Sequence, residues 1–329
     1  MKFLADGTHL AIIAAKFSCG APRAGAEKGP EAIMQTGVFQ EIATKANLAI
    51  SFDMLAAEPA PADQTEAKEK EEERLGIGLG LKRPREVSAA VQRVSSAVYR
   101  HARRGRFVLT VGGDHSIGAG TVTGTAKALR DRFAGQQQQR QQELGVLWID
   151  AHADINTPET SRSGRFHGMP VAFASGLAPS PQRGVFDWLE PSHRINLRRF
   201  VYIGLRDVDE AEKELIARHQ VKAFTMEDVN RLGIDKIMDA ALDHLGPDTP
   251  IHASYDIDSL DPEWAPSTGF PVPAGLSLEE GVRVARRLHE SGNLIALDLV
   301  EINPDIAPSL LDLTVNAGCR LIKTALGVE

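Results

Sequence analysis

The stretch Val146–Asp154, VLWIDAHAD, decides how the chain is read. VLWI reads as a strand buried on both faces, and acid and imidazole side chains begin where it ends. Asp150, His152 and Asp154 stand at i, i+2 and i+4, so in extended chain they share one face. Four other apolar runs end the same way. Phe107–Val111 leads into Gly112-Gly113-Asp114-His115, and Phe200–Ile203 into Gly204-Leu205-Arg206-Asp207-Val208-Asp209. Ile251–Tyr255 leads into Asp256-Ile257-Asp258, and Leu294–Val300 into Glu301.

Leu10–Ala14 and Ile50–Met54 add two more strand candidates. Helical segments lie between the strands. Gly29-Pro30 opens one over Glu31–Ala46, and Val87, Val91, Val94 and Val98 mark an amphipathic helix over Glu86–Arg103. This alternation predicts an α/β fold: a mostly parallel sheet with helices on both faces. In such a sheet, ligands bind beyond the carboxyl ends of the strands, so the five chemical termini converge on one rim. No internal repeat or linker interrupts the pattern, which predicts one domain over residues 1–329. Two polar stretches, Ala56–Arg74 with its charge run KEKEEE and the glutamine-rich Gly135–Glu143, read as surface insertions.

Carboxylates that converge repel one another, and burying them uncompensated is costly. A bound cation is the usual remedy. Asp256 and Asp258 repeat the i, i+2 spacing of Asp150 and His152. With Asp154 and His115 they make four carboxylates and two imidazoles, a set suited to two divalent ions of intermediate hardness, among Mg, Mn, Zn and Fe. Alone, an Asp-x-Asp at a strand end is commonly a turn or a helix cap, and a lone His beside Asp a structural pair. Three such motifs at three strand ends favour the metal. The two cysteines, Cys19 and Cys319, lie outside these motifs and form no CxxC pair, which argues against a structural zinc site or a disulfide framework.

Composition narrows the function classes. The formal net charge of -7 offers no basic field for nucleic acid or an anionic membrane. No apolar run approaches the roughly 20 residues needed to span a bilayer, and the first residues lack a signal-like apolar core. A cytoplasmic protein without nucleic-acid or membrane partners is the expectation.

The assembled motifs resemble a known family. GGDHS at Gly112–Ser116, DAHADINTP at Asp150–Pro158, SGRFHG at Ser163–Gly168, SYDIDSLDP at Ser254–Pro262 and Glu301 in LVEINP are similar to those of the ureohydrolases, arginases in particular. The resemblance also takes in FSCGAPRAGAEKGP and GLRDVD. It implies a doubly wound, three-layer α/β/α fold and a hydrolase that cleaves L-arginine to L-ornithine and urea through a metal-bridging hydroxide. Two Mn²⁺ per subunit are implied. His115, Asp150, Asp154 and Asp256 would hold one, and His152, Asp150, Asp256 and Asp258 the other. Asp154, His167 and Glu301 would act in catalysis: proton transfer, proton shuttling and guanidinium pairing respectively. Asn156, Ser161, Ser163 and Asp209 would bind the amino-acid head of the substrate. A homo-oligomer, a trimer, is implied too.

Three positions depart from the family pattern. Arg165 stands where an asparagine is usual, Phe270 where a threonine is usual near the guanidinium end, and Leu313 where many trimeric members carry an arginine. The readings left open are a relative acting on agmatine or a guanidino acid, and a metal-binding protein whose pocket Phe270 has closed.

Overall fold

A computed structural model of the chain describes residues 1–56, 80–134, 143–180 and 184–328. Its centre is an eight-stranded sheet: β1 (Asp6–Lys16), β2 (Ala49–Ala56), β3 (Arg106–Val111), β4 (Gly145–Ile149), β5 (Phe200–Leu205), β6 (Lys222–Thr225), β7 (Ile251–Asp256) and β8 (Leu294–Val300). The order is β2-β1-β3-β8-β7-β4-β5-β6, with every neighbouring pair parallel. The five strands with chemical termini are therefore the contiguous centre, β3-β8-β7-β4-β5.

Period-two alternation explains why both faces are covered. In β4, Leu147 and Ile149 join one apolar cluster, while Val146 and Trp148 join another on the opposite face. In β5, Val201 and Ile203 face the first, Phe200 and Tyr202 the second. The first face is packed by α1 (Gly29–Gln35), α2 (Val38–Ala46) and the last four helices of the chain, while the helix Glu210–Arg218 sends Leu215 to the other face. The other carries α3 (Pro84–Ala102), α4 (Gly118–Phe133) and α5 (Pro170–Ser175). The remaining helices are α6 (Glu210–Arg218), α7 (Met226–Leu232), α8 (Ile234–Leu245), α9 (Leu278–Ser291) and α10 (Leu311–Ala325).

All seven expected strands are present, and the structure corrects the expectation at two points. The helix expected over Glu31–Ala46 is two helices, α1 and α2, because Gly37 takes φ 75° and turns the chain between them. The edge strand β6, KAFT, was not anticipated. The expected insertions lie outside the described residues, apart from their end residues Ala56 and Glu143. Among the described residues no helix is long and apolar enough to cross a membrane.

Candidate metal centre and substrate cavity

The rim beyond the central strands is built from turns that the sequence forces. After β3, Gly113 passes so close to the loop after β1 that a Cβ there would lie 1.5 Å from the Phe17 carbonyl oxygen, so only glycine fits. Asp114 then caps the turn that presents His115, its carboxylate accepting from the Ser116 and Gly20 backbone N–H groups. After β4, the Tyr202 hydroxyl donates to the Ala153 carbonyl at 2.6 Å and fixes the loop that carries Asp150, His152 and Asp154. Arg206, after β5, donates to the Asp258 carbonyl at 2.7 Å and the Val272 carbonyl at 2.8 Å, tying three loops together. Asp154 and Glu301 sit at φ 53° and 66°, left-handed conformations that few residues other than glycine adopt.

These turns bring the expected ligands together. Nδ1 of His115 lies 3.0 Å from Asp150 Oδ2, 3.1 Å from Asp256 Oδ2 and 3.2 Å from Asp154 Oδ2. Nδ1 of His152 lies 3.1 Å from Asp258 Oδ2 and 3.4 Å from Asp150 Oδ1. One ring nitrogen carries at most one hydrogen, so three carboxylate oxygens around His115 Nδ1 exceed what hydrogen bonding can satisfy. The atoms are spaced as ligands of a common ion. His115, Asp150 and Asp154 form one group suited to an ion, and Asp150, His152 and Asp258 a second. Asp150 belongs to both, one oxygen facing each imidazole.

The electrostatics point the same way. Burial, followed by repulsion from Asp150, pushes Asp154 up to about 7. Burial together with Asp258 and Asp150 raises Asp256 well above the carboxylate range, and burial with Asp114 does the same for Glu301. Asp258 is raised mainly by burial. Burial opposes charge on His115 and His152, but their carboxylate neighbours outweigh it and raise both. Asp150, which burial would also raise, is held below its usual range by those two imidazoles. The centre is thus a buried excess of negative charge that favours any available proton or cation. The mixed oxygen and imidazole donors, with no cysteine among them, fit divalent ions of the manganese type.

The same shifts predict the behaviour of chelator-treated protein. Carboxylates and imidazoles raised in the folded state bind more protons there than in the unfolded chain, so stability falls as pH rises. The carboxylate part is lost on passing from 3.8 up through about 7 at Asp154, and the imidazole part above 6.5. His167, lowered to about 4, opposes this only between about 4 and 6.5, and Asp150 only below 3.8. The metal-free melting temperature should therefore fall by several degrees between pH 6.5 and 8.5, and an added divalent cation should reverse the fall. Thermal melts that stay level across that range would contradict the charge balance described.

The clustered side chains open on a cavity of about 220 Å³, lined further by Asn156, His167, Asp207, Glu212, Phe270 and Glu301. Glu301 Oε1 accepts from the His115 backbone N–H at 2.8 Å. The His167 imidazole stacks on Phe270, centroids 5.0 Å apart, and burial with the nearby His152 and Arg165 charges lowers it to about 4. Asn156 lines the cavity and donates to Asp209 at 2.9 Å. Asp209, Ser161 and Ser163 are not among the lining residues. Asp209 caps α6, and the two serine hydroxyls accept from the Gly164 and Arg165 backbone N–H groups. Arg165 turns its guanidinium toward the Ala21 carbonyl.

Glu212 was not anticipated. It lies buried in the first turn of α6, and burial with the Asp154 charge raises it to about 8. The Asp-x-x-Glu spacing from Asp209, the mark of a capping box, is the sequence signal that locates it. Asp207 lines the cavity too, 3.6 Å from His152 Nε2.

A sequence model described as the arginase family matches residues 8–327. The chain belongs to the arginase family. An arginase of Coccidioides posadasii is 46% identical over 99% of this chain and 96% of its own length. Among solved structures, the Entamoeba histolytica arginase in complex with L-ornithine superposes with a TM-score of 0.82 at 29% identity, covering 98% of this chain and 99% of its own. The arginase of Glaciozyma antarctica gives 0.71 at 36% identity, covering 99% and 96%. The chain is thus an arginase-family hydrolase with an α/β fold and a metal-type ligand cluster at the expected rim.

Proposed function

We propose that this hydrolase cleaves L-arginine to L-ornithine and urea at a pair of manganese ions. The observation that carries the reading is the shared carboxylate of Asp150, set between two His/Asp groups beside the buried Glu301. His115, Asp150, Asp154 and Asp256 would hold one ion, and His152, Asp150, Asp256 and Asp258 the other. When bound, two divalent ions supply hydroxide near neutral pH by acidifying water.

The chain's own residues do the rest. A guanidinium is a resonance-stabilised cation and a poor electrophile, so it must be held in place. Glu301, a buried carboxyl whose ionised form gains from a cationic partner, pairs with it, fixing its plane against the ligand cluster. Asp154, lining the same cavity, takes a proton from the nucleophile and returns it to the leaving amine. His167, neutral near pH 7 because burial lowers it, accepts a proton and hands it to solvent. At the far end Asp209, with Glu212 beside it, presents acceptors to an α-ammonium, and Asn156, Ser161 and Ser163 on the loop after β4 serve as hydrogen-bonding partners for an α-carboxylate. That the Entamoeba relative is complexed with L-ornithine supports an amino-acid head. Assembly as a homotrimer belongs to the same reading, with Leu313, exposed in α10, standing where many trimeric members carry an arginine.

The test is urea and ornithine release after Mn²⁺ loading, with L-arginine and agmatine assayed side by side. Rapid release from L-arginine alone is expected. Turnover of agmatine in preference would move the reading to a relative lacking amino-acid selectivity.

A further inference from the structure

The ligand His115 rests on a buried polar chain that the catalytic proposal does not use. Its Nε2 lies 2.9 Å from the Ser254 hydroxyl, which donates to Asp298 Oδ2 at 3.2 Å. Asp298 stands in the middle of β8, fully buried, with Ser254 as its register partner on β7. The same oxygen accepts from the Thr121 hydroxyl at 2.5 Å and faces His252 Nε2 at 2.9 Å. A carboxyl oxygen that takes two hydroxyl donors and faces a histidine nitrogen is the acceptor of the network, and such a group in a sheet core needs a reason.

Counting hydrogens supplies one. A carboxylate can only accept, so the single Ser254 hydroxyl hydrogen is committed to Asp298. The Ser254 oxygen must then accept from His115, which places a proton on Nε2. Nδ1 is left to face Asp150, Asp154 and Asp256 with its lone pair, the arrangement a cation requires. Stacking of the His115 ring on Trp148, centroids 4.1 Å apart, leaves rotation within the ring plane as the freedom that the Ser254 bond removes.

We propose that Asp298 is a positioning residue that, through Ser254, fixes the tautomer and orientation of His115 and so sets the affinity of the ion on the His115 side. The inference rests on the metal-site reading above. Outer partners of metal-bound histidines typically contribute about 10–100-fold to affinity.

The experiment measures Mn²⁺ stoichiometry under chelator competition, with electron paramagnetic resonance of the bound ions, for wild type, Ser254→Ala, Ser254→Thr and Asp298→Asn. In Ser254→Ala the His115-side affinity should fall about 10–100-fold, while the His152 side stays within a few-fold. The spectrum of a coupled pair should give way to that of isolated ions. Ser254→Thr, which keeps the hydroxyl, should restore the pair. Asp298→Asn should behave like Ser254→Ala; if it fails to fold, the serine variants decide. Two ions bound by Ser254→Ala as tightly as by wild type would overturn the inference and leave the metal site standing. So would an equal loss at both ions, which marks general loosening. A wild-type chain that takes up no manganese would overturn the metal-site reading and this inference with it.

Discussion

Asp150→Asn is expected to leave the protein folded, unable to hold either ion tightly, and at least about 1000-fold slower in urea release. Its two oxygens face different imidazoles, His115 at 3.0 Å and His152 at 3.4 Å. The His152 backbone N–H donates to one oxygen at 2.7 Å, and the Trp148 indole to the other at 3.0 Å. The carboxylate is therefore fixed with a charge directed at both groups. A pair of unit charges about 4 Å apart is worth about 4 kcal/mol at an effective dielectric near 20. Losing even about 3 kcal/mol per ion weakens each by a factor on the order of 100. Asp258→Asn is the control, because Asp258 belongs only to the His152 group. It should release one ion and keep the other. Metal analysis of the two purified variants checks this, and a full complement in Asp150→Asn would remove the shared ligand from the account.

The strands that carry chemistry were legible because parallel strands buried on both faces write themselves as unbroken apolar runs, and each ends abruptly in charge. β6 was not, because an edge strand of four residues, two of them only half-buried and one exposed, has too little apolar signal. The helix break at Gly37 follows from backbone freedom, which periodicity does not register. Within the site, residues that touch the rim from strand termini could be placed by register alone. Glu212 could not, since a glutamate in the first turn of a helix is ordinarily solvated, and its burial depends on the loop after Asp154 packing over it. Asp298 was hidden for the opposite reason. It occupies one position of the apolar run LIALDLV, where the run itself dominates the reading, and its partners come from β7 and α4.

Phe270→Thr is expected to raise kcat/KM for L-arginine several-fold, through a lower KM. Phe270 is the one apolar side chain among the residues lining the cavity. It follows Gly269, which packs against Glu301 so closely that a Cβ there would lie 3.2 Å from Oε2. The ring therefore stands beside the proposed guanidinium anchor. It meets His152 edge-on at 6.3 Å, stacks on His167, and lies under the Arg23 guanidinium at 5.4 Å. Arg23 is itself held by a 2.7 Å bond to the Gly269 carbonyl. Two effects compete on substitution. Removing the ring gives room to the substrate's cationic end and supplies a hydroxyl acceptor. It also removes a stack on His167 worth about 0.5–1.5 kcal/mol, and with it part of that ring's fixed orientation. The ring is half-buried, so the void is partly refilled by water and the packing loss stays well below that of a core phenylalanine. Relief of bulk beside a charged anchor should then outweigh the loosened imidazole. Phe270→Leu separates the two effects, since it keeps most of the bulk and abolishes the stack: kcat should fall while KM holds. Steady-state kinetics of both variants decide the matter. If KM is unchanged in Phe270→Thr, the ring lies off the substrate's path and serves His167 alone.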